Sequence, residues 1–335
     1  MGEGVKPSNL YKLILAYLLW SKTHYKKFDE FSGIKISDIL RKLEKNTVPT
    51  KAIEYSLPDW LAETLQNQLG NSWEREAKAL NEQAPTVLRT NTLKTSPQNL
   101  VSILADEGIK AFTLKNHPDA VQLEEKKNVF LTSAFKNGLF EVQDASSQTI
   151  AHFLNPKEGE RVIDVCAGAG GKTLHISSLM KNKGQIIALD IFDWKLAELK
   201  RRAKRAGAHN IETRLISDNK VIKRLHNTAD KLLIDAPCSG LGVLKRNPDT
   251  KWKIDLDFIN RIQSEQKQIL HQYSKMLKVG GQMIYATCSI LPSENNQQVE
   301  LFLQNNPNFS LLSDQTLFPS SGYDGFYMAL LQRNE

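Results

Sequence analysis

The sequence predicts a parallel, doubly wound α/β sheet from Glu141 to the C-terminus, and three observations lead there. Short apolar runs, "RVIDV", "QIIALD", "IETRL", "KLLID" and "QMIYAT", alternate with helical stretches such as "KTLHISSLM", "WKLAELKRRAKRAG" and "SENNQQVELFLQNN". Alternation of this kind builds parallel strands joined by crossover helices. A glycine-rich turn, "CAGAGGKT", follows the first strand, and polar turns carrying Cys238 and Cys288 follow the fourth and fifth. In open sheets of this type ligands gather at the carboxyl ends of the strands, where these turns fall.

Two further regions precede that sheet. From about Ser8 to Leu80 the pattern is helical. "LYKLILAYLLW", "KISDILRKLEK" and "PDWLAETLQNQL" repeat apolar residues at three- and four-residue spacing, and "SLPDWL" supplies a Pro at a helix start. The first of these reads as an amphipathic core helix, since Lys12 interrupts it and no small-residue cleavage site follows. From Pro85 to about Leu139, "TVLRTNTL", "IKAFTL" and "AVQLEE" read as strands. "SPQNLVSILADEG" reads as a helix with Ser96 as N-cap, Pro97 in the first turn and Gly108 at the C-cap. The expected organisation is a helical region over 1–84, a small α+β layer over 85–140 suited to RNA, and the large sheet over 141–335.

Composition narrows the classes. No apolar run is long enough to span a bilayer, so no membrane partner is expected. Three cysteines in 335 residues argue against a disulfide framework and for the cytoplasm. No Cys-x-x-Cys or His-x-x-x-His pair occurs, so no metal is expected. Lys and Arg number 44 against 37 Asp and Glu, and "LKRRAKRAG" sets five cations on one helix, which suits a polyanionic partner or an ordinary solvated face.

The turn after the first strand is a nucleotide-type loop. Gly168, Gly170 and Gly171 let a ligand approach the backbone of Cys166, Ala167, Ala169 and Lys172. A dinucleotide loop would need glycine where Thr173 stands. A P-loop would need glycine where Cys166 stands, although "GKT" and "KLLIDAP" suit a P-loop NTPase. An S-adenosylmethionine site needs a tight loop and acidic residues, and Asp190 and Asp218 close or follow the next two strands.

"DAPCSGLGVLKRNPDTKW" together with "YATCS" resembles the RsmB/Sun-type RNA (cytosine-5) methyltransferases. "DVCAGAGGKT", "VQDASSQ" and "DGFYMALL" strengthen the resemblance, which covers the chain from about Pro85 onward. One departure is Gly168-Ala169, where that family usually carries Ala-Pro. The resemblance implies a Rossmann-like class I methyltransferase domain, S-adenosylmethionine as cofactor, and RNA as substrate, ribosomal before transfer RNA, with the protein acting as a monomer. It implies Cys288 as nucleophile, Cys238 as the residue assisting release, and Asp235 beside both cofactor and base. Lys172 is either in that pocket or in solvent. Cys166 and His175 read as structural, and Trp252 as packing. A P-loop NTPase and a catalytically idle RNA-binding protein are the readings from other classes.

Overall fold

The computed structural model describes residues 7–23, 29–44 and 50–335. It divides into two compact units, Met1–Glu54 and Tyr55–Glu335. In the first unit α1 (Pro7–Trp20), α2 (Ile36–Glu44) and the short α3 (Lys51–Glu54) are helical. Lys45, the last residue of the expected second helix, lies outside the described residues. The core-helix expectation for α1 needs correction. Leu15 is buried, but Leu10, Leu13, Ile14 and Tyr17 are between 40% and 62% exposed. A unit this small offers too little partner surface to bury an apolar helix.

The second unit begins with α4 (Asp59–Leu69) and α5 (Trp73–Leu80). A small antiparallel sheet follows, built from β1 (Val87–Thr90), β2 (Ala111–Leu114), β3 (His117–Leu123) and β4 (Phe140–Val142) in the order β2-β3-β1-β4. Between β1 and β2 runs α6 (Pro97–Asp106), and α7 (Ser133–Lys136) precedes β4. The N-terminus of α6 forms as its sequence dictates, since Ser96 Oγ accepts the Asn99 amide at 3.2 Å. The strand β4 was not expected, because three residues carry no readable period. It pairs with β1 and straddles residue 140, where a boundary was expected. The other expected boundary, at 84, falls inside the second unit.

The large sheet contains β5 (Arg161–Val165), β6 (Gln185–Asp190), β7 (Ile211–Leu215), β8 (Ala229–Asp235), β9 (Leu277–Thr287), β10 (Phe309–Leu317) and β11 (Phe326–Arg333). Its order is β10-β11-β9-β8-β5-β6-β7. The five strands from β5 to β9 are parallel, as predicted. The sheet as a whole is mixed, because β11 joins β9 antiparallel and β10 joins β11 antiparallel.

The helices of this part are α8 (Ala145–Leu154), α9 (Gly171–Leu179), α10 (Asp193–Ala206), α11 (Asn219–Lys223), α12 (Thr250–Lys253), α13 (Leu256–Tyr273) and α14 (Asn296–Asn305). Both faces of the sheet are buried. Ile163, Leu232, Ile234, Met283 and Tyr285 enter one apolar cluster, while Val162, Leu233 and Ile284 enter another. Strands covered on both sides read as continuous apolar runs, which is why five of them were legible. The chain runs from β5 out to β7 and returns to β8 on the other side of β5. That reversal opens a crevice at the carboxyl ends of β5 and β8.

Candidate active site

At this crevice the glycine turn bends back on itself. Cys166, Gly168 and Gly170 adopt φ of 62°, 56° and 84°. A Cβ on Gly170 would lie 2.5 Å from Leu199 Cγ, so the turn's fit against α10 excludes a side chain there. Two arginines hold the turn from outside. Arg202 of α10 donates to Ala169 O at 2.7 Å, and Arg89 of β1 donates to Gly171 O. Asp190, ending β6, holds it from inside, accepting from Gly168 N at 2.8 Å and from Phe192 N at 2.9 Å.

A cavity of about 250 Å³ lies beside this turn. Of the expected residues, Cys166, Asp190 and Asp235 line it. Asp218 does not, and this departs from expectation. It is exposed and caps α11, accepting from Lys220 N at 2.7 Å, while Ile216 lines the wall instead. Glu265, Ile269 and Tyr273 of α13 form a further part of the wall. They recur every four residues on one helix face, the signal that would have revealed them had α13 been recognised. The lip carries Ile191 and Phe192, exposed by 57% and 45%. An acidic group at the end of β6, a tight glycine turn and an apolar wall fit S-adenosylmethionine. In that fit Asp190 would take the ribose hydroxyls and Ile216 would face the base.

The P-loop alternative fails on the same loop. Lys172 Nζ donates to Asp235 Oδ2 at 2.6 Å, and Thr173, fully buried, donates its hydroxyl to Asp164 at 2.6 Å. Neither side chain is free for a phosphate or a magnesium ion. Lys172 is therefore largely buried against Asp235, a residue of the cavity wall, and not in solvent. Burial disfavours its charge, but Asp235 and then Cys288 outweigh that and hold its pKa above the ordinary lysine value. The Phe326 ring of "DGFYMALL" stands 5.5 Å from Nζ.

Cys238 and Cys288 both sit just past strand ends, Cys238 three residues beyond β8 and Cys288 next after β9. Their sulfurs are 3.2 Å apart. The contact with Cys288, together with burial, pushes the Cys238 thiol well up, so Cys238 keeps its proton and can donate it toward Cys288. Cys166 is unsuited to attack, since burial and three nearby aspartates push its thiol up.

Several motif residues serve the frame. Arg246 of "LKRNPD" donates to Asp144 of "VQDASSQ" at 2.8 Å and to Asp324 of "DGFYMALL" at 2.5 Å, joining three motifs through one guanidinium. Within "LKRRAKRAG", Arg202 and Arg205 bind Glu141 of β4 at 3.0 and 2.6 Å, leaving Lys200, Arg201 and Lys204 exposed. The electrostatic face is narrower than five cations suggest. Trp252, expected to pack, is 60% exposed.

One cluster was invisible to sequence patterns. Asp119 of β3 accepts from His152 Nε2 at 2.7 Å and from His175 Nε2 at 2.8 Å. The three could offer metal ligands. Burial holds His175 down to about 4, a neutral ring whose Nε2 carries the proton and whose buried Nδ1 has no partner. A metal on Nε2 would transfer that proton to Nδ1, creating a buried N–H with no acceptor. The cluster therefore reads as a hydrogen-bonded clamp between β3 and the helices α8 and α9.

Asp164 beneath the loop makes a testable stability prediction. Burial raises its carboxyl to about 7, and Oδ1 has no partner. The folded state thus keeps a proton that the unfolded chain, with a pKa of about 3.9, has released. The stability this adds is complete below pH 4 and is lost as pH rises through 7. Asp164→Asn should flatten that slope and stabilise the protein above pH 7 by up to about 4 kcal/mol. Thermal unfolding of both proteins at pH 5 and pH 8 will show whether the gain is larger at the higher pH.

Fold and site together define a Rossmann-like, S-adenosylmethionine-dependent methyltransferase. A family model described as 16S rRNA methyltransferase RsmB/F matches residues 151–332, and a model of the RsmF/B-like ferredoxin-like domain matches residues 57–130. The ribosomal RNA small subunit methyltransferase B of Proteus mirabilis is 37% identical over 283 residues, covering 83% of this chain and 66% of the relative. That of Salmonella paratyphi B is 34% identical over 313 residues, covering 88% and 72%. The chain thus spans about two thirds of the length of the Proteus relative. Among solved structures, PH0851 superposes with a TM-score of 0.82 at 29% identity, over 97% of this chain and 77% of that one. A methyltransferase homolog protein from Pyrococcus horikoshii gives 0.75 at 29% identity, over 85% and 98%. The chain belongs to the RsmB/F family of 16S rRNA methyltransferases. Among the described residues no helix is long and apolar enough to cross a membrane.

Proposed function

We propose that this protein methylates carbon 5 of a cytosine in small-subunit ribosomal RNA, with Cys288 as nucleophile and Cys238 assisting release. The observation that carries this reading is the pair of sulfurs 3.2 Å apart, beside the Lys172–Asp235 pair and the cofactor cavity. Carbon 5 of cytosine is a weak nucleophile. Addition of the Cys288 thiolate to carbon 6 pushes an electron pair onto carbon 5, which then accepts a methyl group. S-adenosylmethionine, bound in the cavity, supplies that group. Solvent water then takes the carbon-5 proton, the electron pair of that C–H bond restores the double bond, and the Cys288–carbon 6 bond breaks to return the thiolate.

The protein's own groups support each stage. The Cys238 thiol proton, donated to the Cys288 sulfur, favours negative charge there both before attack and at departure. The Lys172 ammonium adds positive potential, and Asp235 is suited to accept from the exocyclic amine of cytosine. The ribosomal substrate rests on the family and on the names of the relatives. We also place the protein in the cytoplasm and take it to act as a monomer. The test is to map 5-methylcytosine in RNA from cells with and without the gene. One position in 16S rRNA should lose its mark. A loss confined to transfer RNA would reassign the substrate, and no loss in any RNA would refute the activity.

A further inference from the structure

Each of the two cysteines is followed by a serine, and both serines lead to one carboxylate. Glu294 is fully buried, in the turn before α14. Its Oε1 accepts from Ser239 Oγ at 2.5 Å and from Ser289 Oγ at 2.6 Å. Its Oε2 accepts from Ser239 N at 2.7 Å and from Gln266 Nε2 at 3.1 Å. The same Gln266 amide donates to Pro237 O at 2.9 Å, on the other side of Cys238. Four donors converge on the carboxylate, and all come from neutral groups. An acid without a cationic partner at such depth is costly unless its acceptor capacity is filled, as it is here.

We propose that Glu294 is the positioning residue that sets the two cysteine turns in register. The inference rests on the reading that Cys238 and Cys288 are the reacting thiols. Ser239 belongs to the turn after β8 and Ser289 to the turn after β9, so their shared acceptor fixes one turn against the other. Each hydroxyl also accepts from its own turn, from Leu241 N at 3.4 Å and from Leu291 N at 3.2 Å. The turns meet once more through Gly242 N, which donates to Cys288 O at 2.9 Å. A Cβ on Gly242 would come within 2.8 Å of that oxygen and 2.2 Å of Gly325 O, so only glycine lets the backbones close. Asn295, next to Glu294, donates to Ser289 O at 3.0 Å and accepts from Thr287 Oγ1 at 2.5 Å, bracketing Cys288 on both sides. Glutamate suits this place because all four contacts need an acceptor. A glutamine would turn a donor toward two of the donors.

The test reads the distance between the thiols as well as turnover. Diamide joins two adjacent thiols as a disulfide and is itself reduced to the hydrazine, and peptide mapping by mass spectrometry follows the Cys238–Cys288 product. Glu294→Gln should keep its S-adenosylmethionine affinity within about twofold. It should slow capture of the pair at least tenfold, and it should lower kcat at least tenfold with KM for RNA unchanged. Ser239→Ala and Ser289→Ala, which each remove one hydroxyl donor, should each slow capture by a smaller factor; they carry the test if Glu294→Gln does not fold. Unchanged capture in a folded Glu294→Gln, or in both serine variants, would overturn the proposal. Slowed capture in a protein whose parent methylates no RNA would leave the positioning role standing and refute only the reaction.

Discussion

Cys238→Ala is expected to leave the protein covalently joined to methylated RNA, while Cys288→Ala is expected to form no adduct and transfer no methyl group. The two failures differ because the proposed roles differ. Without Cys288 no bond to carbon 6 forms, and turnover should fall by on the order of 10⁴-fold or more, the scale seen when a covalent nucleophile is removed. Without Cys238, attack remains possible but the departing thiolate loses the S–H hydrogen bond across 3.2 Å, so release slows and the adduct accumulates. The double variant should show no adduct, since the adduct needs Cys288. Denaturing gel electrophoresis with labelled RNA resolves all three. An adduct that persists in Cys288→Ala and vanishes in Cys238→Ala would exchange the roles. Full activity in both single variants would make the pair a structural contact and end the mechanism.

Asp190→Ala should lower S-adenosylmethionine affinity by roughly 10- to 100-fold or more, because a hydrogen bond to a charged group is worth about 1.5–3 kcal/mol. The structure enlarges this expectation. Asp190 accepts from Gly168 N and Phe192 N, so alanine also releases the glycine turn from inside the cavity. Asp190→Asn separates the two effects. It can keep one backbone contact through its remaining carbonyl oxygen but loses the charge, and should fall between wild type and alanine. Calorimetric titration of all three proteins, with circular dichroism to confirm folding, provides the comparison. Wild-type affinity in a folded Asp190→Ala protein would remove Asp190 from the cofactor site.

The sequence by itself determined the five parallel strands, the turns at their carboxyl ends, and the placement of Cys238 and Cys288 in those turns. Such features are local. A strand buried on both faces is an unbroken apolar run, a tight turn needs glycine, and a motif keeps its residues contiguous. Tertiary structure decided what depends on residues arriving from far along the chain. Arg202 and Arg205 read as surface cations until Glu141 comes to meet them from more than sixty residues away. Asp218 and Asp190 look alike as acids near strand ends, yet only Asp190 lines the cavity, because the Asp218 carboxylate is spent on capping α11. The antiparallel hairpin of β10 and β11 and the Asp119–His152–His175 clamp likewise have no local signature. The 3.2 Å between Cys238 and Cys288 belongs to the same kind. Fifty residues separate the two cysteines along the chain, and the pairing of β8 with β9 brings their turns together. Motifs report which atoms are chemically able to react, whereas a distance between them is a property of the packed core.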